Sequence, residues 1–348
     1  MHLIAVRNVS EALYIGLQHL LEYGKWQKTR TGNVLEYPEP VITEYRSPKE
    51  RVLFYPERDA NPFFHLFEAF WMLAGRKDVE YVGLFNKQIA KYSDDGAHLD
   101  GAYGHRWKKY FGFDQLYMIK NHLQTNPESR RAVLAMWDAT DLNRSLGDSP
   151  SKDIPCNTNI YFKIRDGILD MTVCCRSNDI IWGTYGANAV HFSILQEYMA
   201  SQIGCLVGKY YHLSDSFHAY NGPLKKVSKI LETGAGTSFL WYDSYIGLDE
   251  GKSYKPEPMF SNPEKADEDI HSFLFYTHTY FLSDGDFKDE IPTYTNTFFN
   301  ETAKRMFHAW YKGYIKKDYS AGIEEAKQIQ TLDWRKASVE WLERRMKK

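Results

Sequence analysis

Two apolar runs set the strongest constraint on how this chain folds: NIYFKI from Asn159 and LDMTVCC from Leu169, joined at Asp166-Gly167. Short runs rich in Ile, Tyr, Phe, Val and Thr, separated by an Asp-Gly turn, predict a β-hairpin. Residues 132–137 read as a further strand. Helices are predicted around these strands. Asn61 is a capping residue, Pro62 follows in the first turn, then comes FFHLFEAFWMLA, stopped by Gly75. From Asn188 to Ile203, Val190, Ile194, Leu195, Tyr198 and Met199 recur at helical spacing. Residues 10–23 predict a first amphipathic helix, and residues 29–33 a polar, Gly-containing loop. After about residue 225 the pattern weakens: 234–262 is turn-rich, and the stretch from Asn300 reads as helical and charged. The fold class expected is α+β, a sheet packed on helices. Residues 1–224 form the core, and 225–348 are an elaboration packed on the same domain.

Net charge narrows the partners. With 43 Lys and Arg against 45 Asp and Glu, the formal charge is −2. A general nucleic-acid or membrane-surface binder would show a basic field, so neither partner is expected. One small anion held by local arginines remains compatible. The four cysteines, Cys156, Cys174, Cys175 and Cys205, form no CxxC pair, and no His spacing supplies a zinc site. No metal is expected, and a reduced cytoplasmic protein is the simplest account. The start, MHLIAVRNVSEALYIGL, lacks the features of a signal peptide. No apolar run approaches membrane-spanning length.

Four features carry chemistry. Pro155-Cys156 stands just before a strand, where a thiol beside positive charge can be a low-pKa nucleophile; taken alone, a buried structural Cys is the better reading. Arg176-Ser177-Asn178-Asp179 ends the strand pair, and an Arg with a Ser suits an oxyanion such as phosphate, although a surface ion pair is the default for an isolated Arg. Arg130-Arg131 follows NPES and enters an apolar strand, where the bland alternative is a solvated turn. Glu68 lies in the most apolar helix, as an outward-facing side chain or as a general acid/base with a raised pKa.

Together these residues resemble the thymidylate synthases and the related pyrimidine nucleotide hydroxymethylases, from roughly Asn61 to Tyr220. HLFEAFWMLAG is similar to the family's helix with its catalytic glutamate, here Glu68, followed by Trp71. GAYGHRW is similar to the segment with its active-site tyrosine, here Tyr103. NPESRR matches the NPxSRR phosphate motif (Arg130, Arg131). IPCN resembles the PCH nucleophile motif (Cys156), and CRSND the QRSxD motif (Arg176, Ser177, Asp179). ANAVHFS resembles the FNIASY helix start (Asn188), and FHAY the HxY sugar-binding motif (His218, Tyr220). Arg30-Thr31-Gly32 resembles the flexible phosphate loop.

The resemblance implies a mixed sheet packed against helices and one-carbon transfer to C5 of a pyrimidine nucleoside monophosphate. Its co-substrate is 5,10-methylenetetrahydrofolate. Cys156 adds to C6, and Glu68 does acid/base work with Tyr103 near the C5 proton. The arginines hold the 5′-phosphate and lower the thiol pKa. Asn188 pairs with the base edge, Asp179 lies near the pterin, and His218 and Tyr220 meet the sugar. The family is homodimeric with shared sites, in which Arg130 and Arg131 come from the partner subunit.

Five departures bear on the product. Asn157 stands where the family has His, as a second ambivalent amide near the base. Cys175 replaces a Gln, and one extra residue separates Asp179 from Asn188. The two tryptophans of the folate wall become Ile89 and Tyr92, and nothing after 225 resembles the closing C-terminal tail. A weaker wall favours water over hydride at the C5 methylene, so hydroxymethylation is expected ahead of reductive methylation to thymidylate. The base stays open between deoxyuridylate and deoxycytidylate, because a carboxamide both donates and accepts. Three rivals fit less well. A nucleic-acid C5-methyltransferase would need a Gly-rich nucleotide turn and a basic face. A cysteine hydrolase using His191, His212 or His218 would leave the arginines and Glu68 idle. A catalytically dead binding protein would have no use for Cys156, Glu68, Tyr103 and the arginines together.

Overall fold

The protein is described from a computed structural model, covering residues 1–233, 245, 248–249, 254–287 and 290–347. Its strands are β1 (His2–Val6), β2 (Lys25–Thr29), β3 (Gly32–Glu36), β4 (Val41–Tyr45), β5 (Val133–Ala135), β6 (Asn157–Arg165), β7 (Ile168–Asp179) and β8 (Leu206–Tyr220). They form one mixed sheet in the order β1-β4-β8-β7-β6-β5, with the β2–β3 hairpin attached through β3 to the end of β8. β7 and β8 run parallel, as do β1 and β4; the other neighbours along that path are antiparallel. The expected hairpin is β6–β7. Asp166 (φ 52°) and Gly167 (φ 72°) both take the left-handed conformation that lets a two-residue turn follow the strands' twist.

The helices are α1 (Val9–Tyr23), α2 (Pro62–Leu73), α3 (Val79–Phe85), the single turn α4 (Tyr103–His105), α5 (Gln115–Thr125), α6 (Ala139–Leu146), α7 (Asn188–Ile203), α8 (Asn221–Val227) and α9 (Lys229–Thr233). Beyond them come α10 (Ala266–Leu282), α11 (Lys304–Trp310), α12 (Tyr319–Ala326) and α13 (Leu332–Met346). Asn61 caps α2 by accepting the Phe64 N–H at 3.1 Å, with Pro62 as the first helical residue. Gly204, at φ 89°, ends α7.

One face of the sheet is closed and the other open. Ile160, Phe162, Met171, Val173, Tyr210 and Tyr45 are buried under the helices. On the opposite face Leu3, Val133 and Tyr161 are exposed. α7 lies on the closed face, tied there by Gln196 Nε2, which donates to the carbonyls of Leu169 (2.9 Å) and Lys209 (3.0 Å). α2 packs on α7, so α7 is buried on nearly every side. The C-terminal helices cover α2: Phe273 packs on Phe67, Phe299 stacks on Phe70, and Trp341 meets Phe63 edge-on. Arg344 and Arg345 near the end of α13 both bind Asp59, just before α2.

Some expectations shift. β5 spans three residues rather than six, because the N–H groups of Met136 and Trp137 converge on one carbonyl, that of Thr158. The expected loop at 29–33 is a hairpin tip, with only Arg30 and Thr31 outside β2 and β3. The C-terminal stretch is helical as expected, but it buries Met306, Phe307 and Trp310 as a second core layer. Of the turn-rich region, 234–244, 246–247 and 250–253 lie outside the described residues. Among the described residues no helix is long and apolar enough to cross a membrane.

The tightest backbone approach in this frame sits under α4. A Cβ on Gly104 would lie 1.9 Å from the Met72 carbonyl oxygen. Gly104→Ala must therefore push α4 off α2, with an expected loss of about 1–3 kcal/mol, the usual cost of overpacking. Urea denaturation checks this, and an unchanged midpoint would show that the contact relaxes freely.

Candidate active site

Four separate elements deliver side chains to one cleft of about 320 Å³. α2 supplies Glu68 and Trp71, α4 supplies Tyr103, the entry to β6 supplies Cys156, and the first turn of α7 supplies Asn188 and His191. Ile89 and Tyr92 stand in its wall with Leu99 and Met72. Arg106, three residues after Tyr103, has a fully buried guanidinium. That buried guanidinium grips Asp141 in a two-pronged pair (2.5 and 2.8 Å) and donates to the Asp100 carbonyl.

Cys156 stands at a turn braced by Arg176. Its Nε donates to the Pro155 carbonyl at 3.0 Å and its Nη2 to that of Ile154 at 3.2 Å, leaving Nη2 3.8 Å from the Cys156 sulfur. The thiol pKa is nevertheless raised: burial is the larger influence, Arg176 pulls the other way, and Asp153 adds to the rise. Arg176 thus lowers the thiol pKa as an arginine can, but one guanidinium at that distance does not offset desolvation. Tyr103 Oη accepts the Asn157 N–H at 3.3 Å, next to the nucleophile.

Glu68 and His191 face each other, with Oε2 and Nε2 3.2 Å apart. This is not an ion pair. Burial pushes the Glu68 carboxyl up to about 8 and His191 down to about 3, so both groups are neutral near pH 7. His191 is 5% exposed, and its Nε2 makes no aligned hydrogen bond. The polar atom that Nε2 faces is the Glu68 carboxyl oxygen. The motif reading gave His191 no role here. A signal was available: His191 lies three residues after Asn188, on the same helical face.

Behind Asn188 runs a chain of amides and an imidazole. Asn188 Nδ2 donates to Asn178 Oδ1 at 3.2 Å. Asn178 Nδ2 in turn donates to Ser214 Oγ at 2.9 Å and faces His212 Nε2 at 3.2 Å. Asn157 Oδ1 meets the same nitrogen of His212 at 3.0 Å. Asn157 is fully buried and its side chain is turned into this network. Its replacement of His places an amide where it packs on His212. With Asn178 Oδ1 as its neighbour, Asn188 keeps one N–H and its carbonyl oxygen free, a donor beside an acceptor.

The remaining residues lie around this centre. Asp179 Oδ1 caps the next turn by accepting the N–H groups of Ile181 (2.7 Å) and Trp182 (2.8 Å), while its Oδ2 is buried without a partner. Burial raises its pKa, and those two backbone donors oppose the rise. His218 pairs with Asp179 across β7 and β8, and its Nδ1 meets Ser216 Oγ at 3.0 Å. Tyr220 Oη and Thr31 Oγ1 are 2.7 Å apart, which ties the Arg30 hairpin tip to the end of β8. Ser177 is half-buried between Arg176 and Asn178 on β7. Arg130 and Arg131 are exposed beside the edge strand β5 and line no part of this cleft. Sequence reasoning missed Arg58, a buried cation that donates to the Ile181 carbonyl at 2.6 Å and lies over the Trp182 ring at 4.5 Å.

The raised pKa of Glu68 is also a stability statement. Its folded value of about 8 exceeds the ordinary 4.5, so its contribution is complete below pH about 4.5 and is lost as pH rises through about 8. Glu68→Gln should gain stability relative to the parent between pH about 5 and about 9. Denaturant titration at several pH values reads this directly; a pH-independent difference would mean that Glu68 ionises normally.

Three comparisons fit this geometry. The family model described as thymidylate synthase matches residues 14–238. The deoxyuridylate hydroxymethyltransferase of Pseudomonas phage M6 is 43% identical over 99% of this chain and 95% of its own length. The enzyme of the same name from Bacillus phage SP01 is 38% identical over 54% of this chain and 51% of its own. Among solved structures, the thymidylate synthase of T4 phage shares the fold with a TM-score of 0.50 at 18% identity, over 62% of this chain and 78% of its own. On the family match and the full-length relative, the chain belongs to the thymidylate synthase family.

Proposed function

We propose that this protein hydroxymethylates deoxyuridylate at C5 through a covalent adduct between Cys156 and C6 of the base. The observation that carries this reading is the convergence of Cys156, Glu68, Tyr103 and Asn188 in one cleft. Attack of the Cys156 sulfur at C6 moves the ring's π electrons toward O4 and makes C5 nucleophilic. Neutral Glu68 can donate a proton to the oxygen side of that system, and Tyr103 lies beside the nucleophile to handle the C5 proton. The apolar wall of Trp71, Ile89, Tyr92 and Leu99 suits the flat ring of a reduced folate. When bound, 5,10-methylenetetrahydrofolate supplies the one-carbon unit.

The amide chain favours uracil. Asn188 would accept N3–H with its carbonyl oxygen and donate its remaining N–H to O4. Cytosine needs the amide reversed, which would bring the Asn188 oxygen against Asn178 Oδ1. Water as the final nucleophile is supported by the names of the two phage relatives and by Ile89 and exposed Tyr92 in place of two indoles. Arg176 with Ser177, and Arg30 on its hairpin, are the phosphate ligands in this reading. His218 and Tyr220 meet the sugar, and Asp179 lies toward the pterin. Residues 225–348 are an elaboration on the core, since Phe299 and Trp341 pack on α2.

The test is product analysis. Deoxyuridylate and deoxycytidylate are each offered with methylenetetrahydrofolate, and the nucleotide is identified by mass. The expected products from deoxyuridylate are the 5-hydroxymethyl nucleotide and tetrahydrofolate. A 5-methyl product with stoichiometric dihydrofolate would make this a thymidylate-forming enzyme. Cys156→Ala should abolish turnover while nucleotide binding persists, a loss of several orders of magnitude.

We also propose a homodimer built on the open sheet face, with Arg130 and Arg131 reaching the partner's site. The apolar positions Leu3, Val133 and Tyr161 on that face and the exposure of both arginines support it. Mixing inactive Cys156→Ala with inactive Arg131→Ala should then restore activity, because one site of each heterodimer carries neither defect. No recovery despite proven subunit exchange would put the arginines in their own chain's site or outside both.

A further inference from the structure

We propose that the protein carries a second ligand site, separate from the catalytic cleft: a basic groove at the opposite end of the sheet that binds a nucleotide with several phosphates, of the nucleoside triphosphate class. The groove encloses about 420 Å³, more than the catalytic cleft, and lies within the usual range of small-ligand sites, roughly 300–1,000 Å³. Arg46 follows β4 and Val207 stands at the start of β8, whereas His218 and Tyr220 stand at the far end of that strand. At about 3.3 Å per strand residue, Val207 and His218 are roughly 35 Å apart along β8.

Charge selects the ligand. Arg7, Arg46, Lys49 and Lys255 line the groove against one lining carboxylate, Glu50, in a chain whose net charge is −2. Glu50 is already satisfied. Arg7 grips it through Nε at 3.0 Å and Nη2 at 2.8 Å, and Asn8 Nδ2 donates to it at 2.8 Å. The other three cations are loosely held. Arg46 Nε lies 3.8 Å from Glu44, a carboxylate that Lys209 holds at 3.0 Å, and its Nη2 donates to the Ala5 carbonyl at 3.3 Å. Lys49 Nζ stands 3.7 Å from Glu197, which already accepts from Arg51 at 2.5 Å and from the Met259 N–H at 3.0 Å. Lys255 is exposed and meets no carboxylate among the described residues. Ser47 adds a hydroxyl to the same lining. A guanidinium, two ammonium groups and a hydroxyl suit phosphoryl oxygens. Spread around one groove, they match a polyphosphate better than a single phosphate.

The rest of the lining is stiff and apolar. Pro48, Val207, Tyr254 and Pro256 supply it. Tyr254 is held in place by its hydroxyl, which donates to the buried Asp333 carboxylate at 2.8 Å. A pinned ring and two prolines offer a planar base a surface that loses little freedom on binding. Inorganic phosphate would leave that wall unused. A nucleic-acid strand fits less well, because it follows an extended basic field, and here the cations gather in one groove of a chain with a net negative charge.

Calorimetry with adenosine triphosphate as the probe tests the proposal. It is run at physiological salt with excess deoxyuridylate, so that the catalytic cleft is filled. The full chain is expected to bind one adenosine triphosphate. Adenosine monophosphate, tripolyphosphate and inorganic phosphate should each bind at least about tenfold more weakly, since each lacks either the charge or the ring. Arg46→Ala and Lys255→Ala, both at exposed positions outside the catalytic cleft, should each weaken adenosine triphosphate by about tenfold, the usual effect of losing one charge-assisted contact. Both variants should bind deoxyuridylate as the parent does, which also shows that they fold. Absence of adenosine triphosphate binding to the parent overturns the proposal, and so does unchanged affinity in the double variant. Tripolyphosphate binding as tightly as adenosine triphosphate overturns the nucleotide assignment, because the apolar wall would then contribute nothing. A single-stranded oligodeoxynucleotide that binds more tightly than adenosine triphosphate and displaces it overturns the assignment as well and makes the groove a nucleic-acid contact. None of these outcomes bears on the reaction at Cys156, which product analysis reads separately.

Discussion

The packing of α2 on α7 over the closed face of the sheet is the constraint from which the chemistry follows. It removes water from a carboxyl on one helix and an imidazole on the other and leaves them 3.2 Å apart. In water the two would exchange a proton and attract. Here desolvation acts on both in the direction of neutrality, upward for Glu68 and downward for His191. Near pH 7 the seam therefore holds a neutral carboxyl and a neutral imidazole side by side. The C-terminal helices belong to the same constraint. By covering the outer face of α2 with Phe273, Phe299 and Trp341, they keep that seam dry from behind.

Polarity inside the sheet is the second consequence. β8 turns His212 and Ser214 into the closed face, where an ordinary strand would carry aliphatic residues. Buried polar groups of this kind must be satisfied by partners, and here the partners are Asn157, Asn178 and Tyr210. The chain of hydrogen bonds ends at Asn188. An amide exposed to water would rotate freely between its two orientations; one whose N–H already has an acceptor behind it offers a single pattern to a base.

Legibility from sequence tracked how far each feature depends on distant partners. The β6–β7 hairpin, α2 and α7 were legible because turn, cap and periodicity are local, and their bounds follow those signals closely. β8 was not legible as a strand. Two of its central inward positions, His212 and Ser214, are polar, which breaks the alternation of apolar and polar residues that is the usual signal. β1 and β4 are five residues each and pair with each other in parallel, across a long separation that no local pattern encodes. Cys156, Glu68, Tyr103 and Asn188 were legible as a set through the resemblance, and they do share one cleft. Asn157 was expected at the base edge; its side chain packs against His212 instead, a partner far away in sequence that no local pattern encodes.

The sequence by itself determined the types of chemical group, their order along the chain and the local elements that present them: a thiol before a strand, a carboxyl in an apolar helix, an amide at a helix start. Those depend on propensity, capping and turn geometry, which act within a few residues. The tertiary structure decided the charge state of each group and which neighbour it meets. A carboxyl in a helix reads the same whether it is solvated or dry, and only the burial of Glu68 against His191 makes it an acid at neutral pH. The Cys156 thiol shows the same limit in the other direction: an arginine of the CRSND motif promised a low pKa, and burial, which no local pattern measures, raised it.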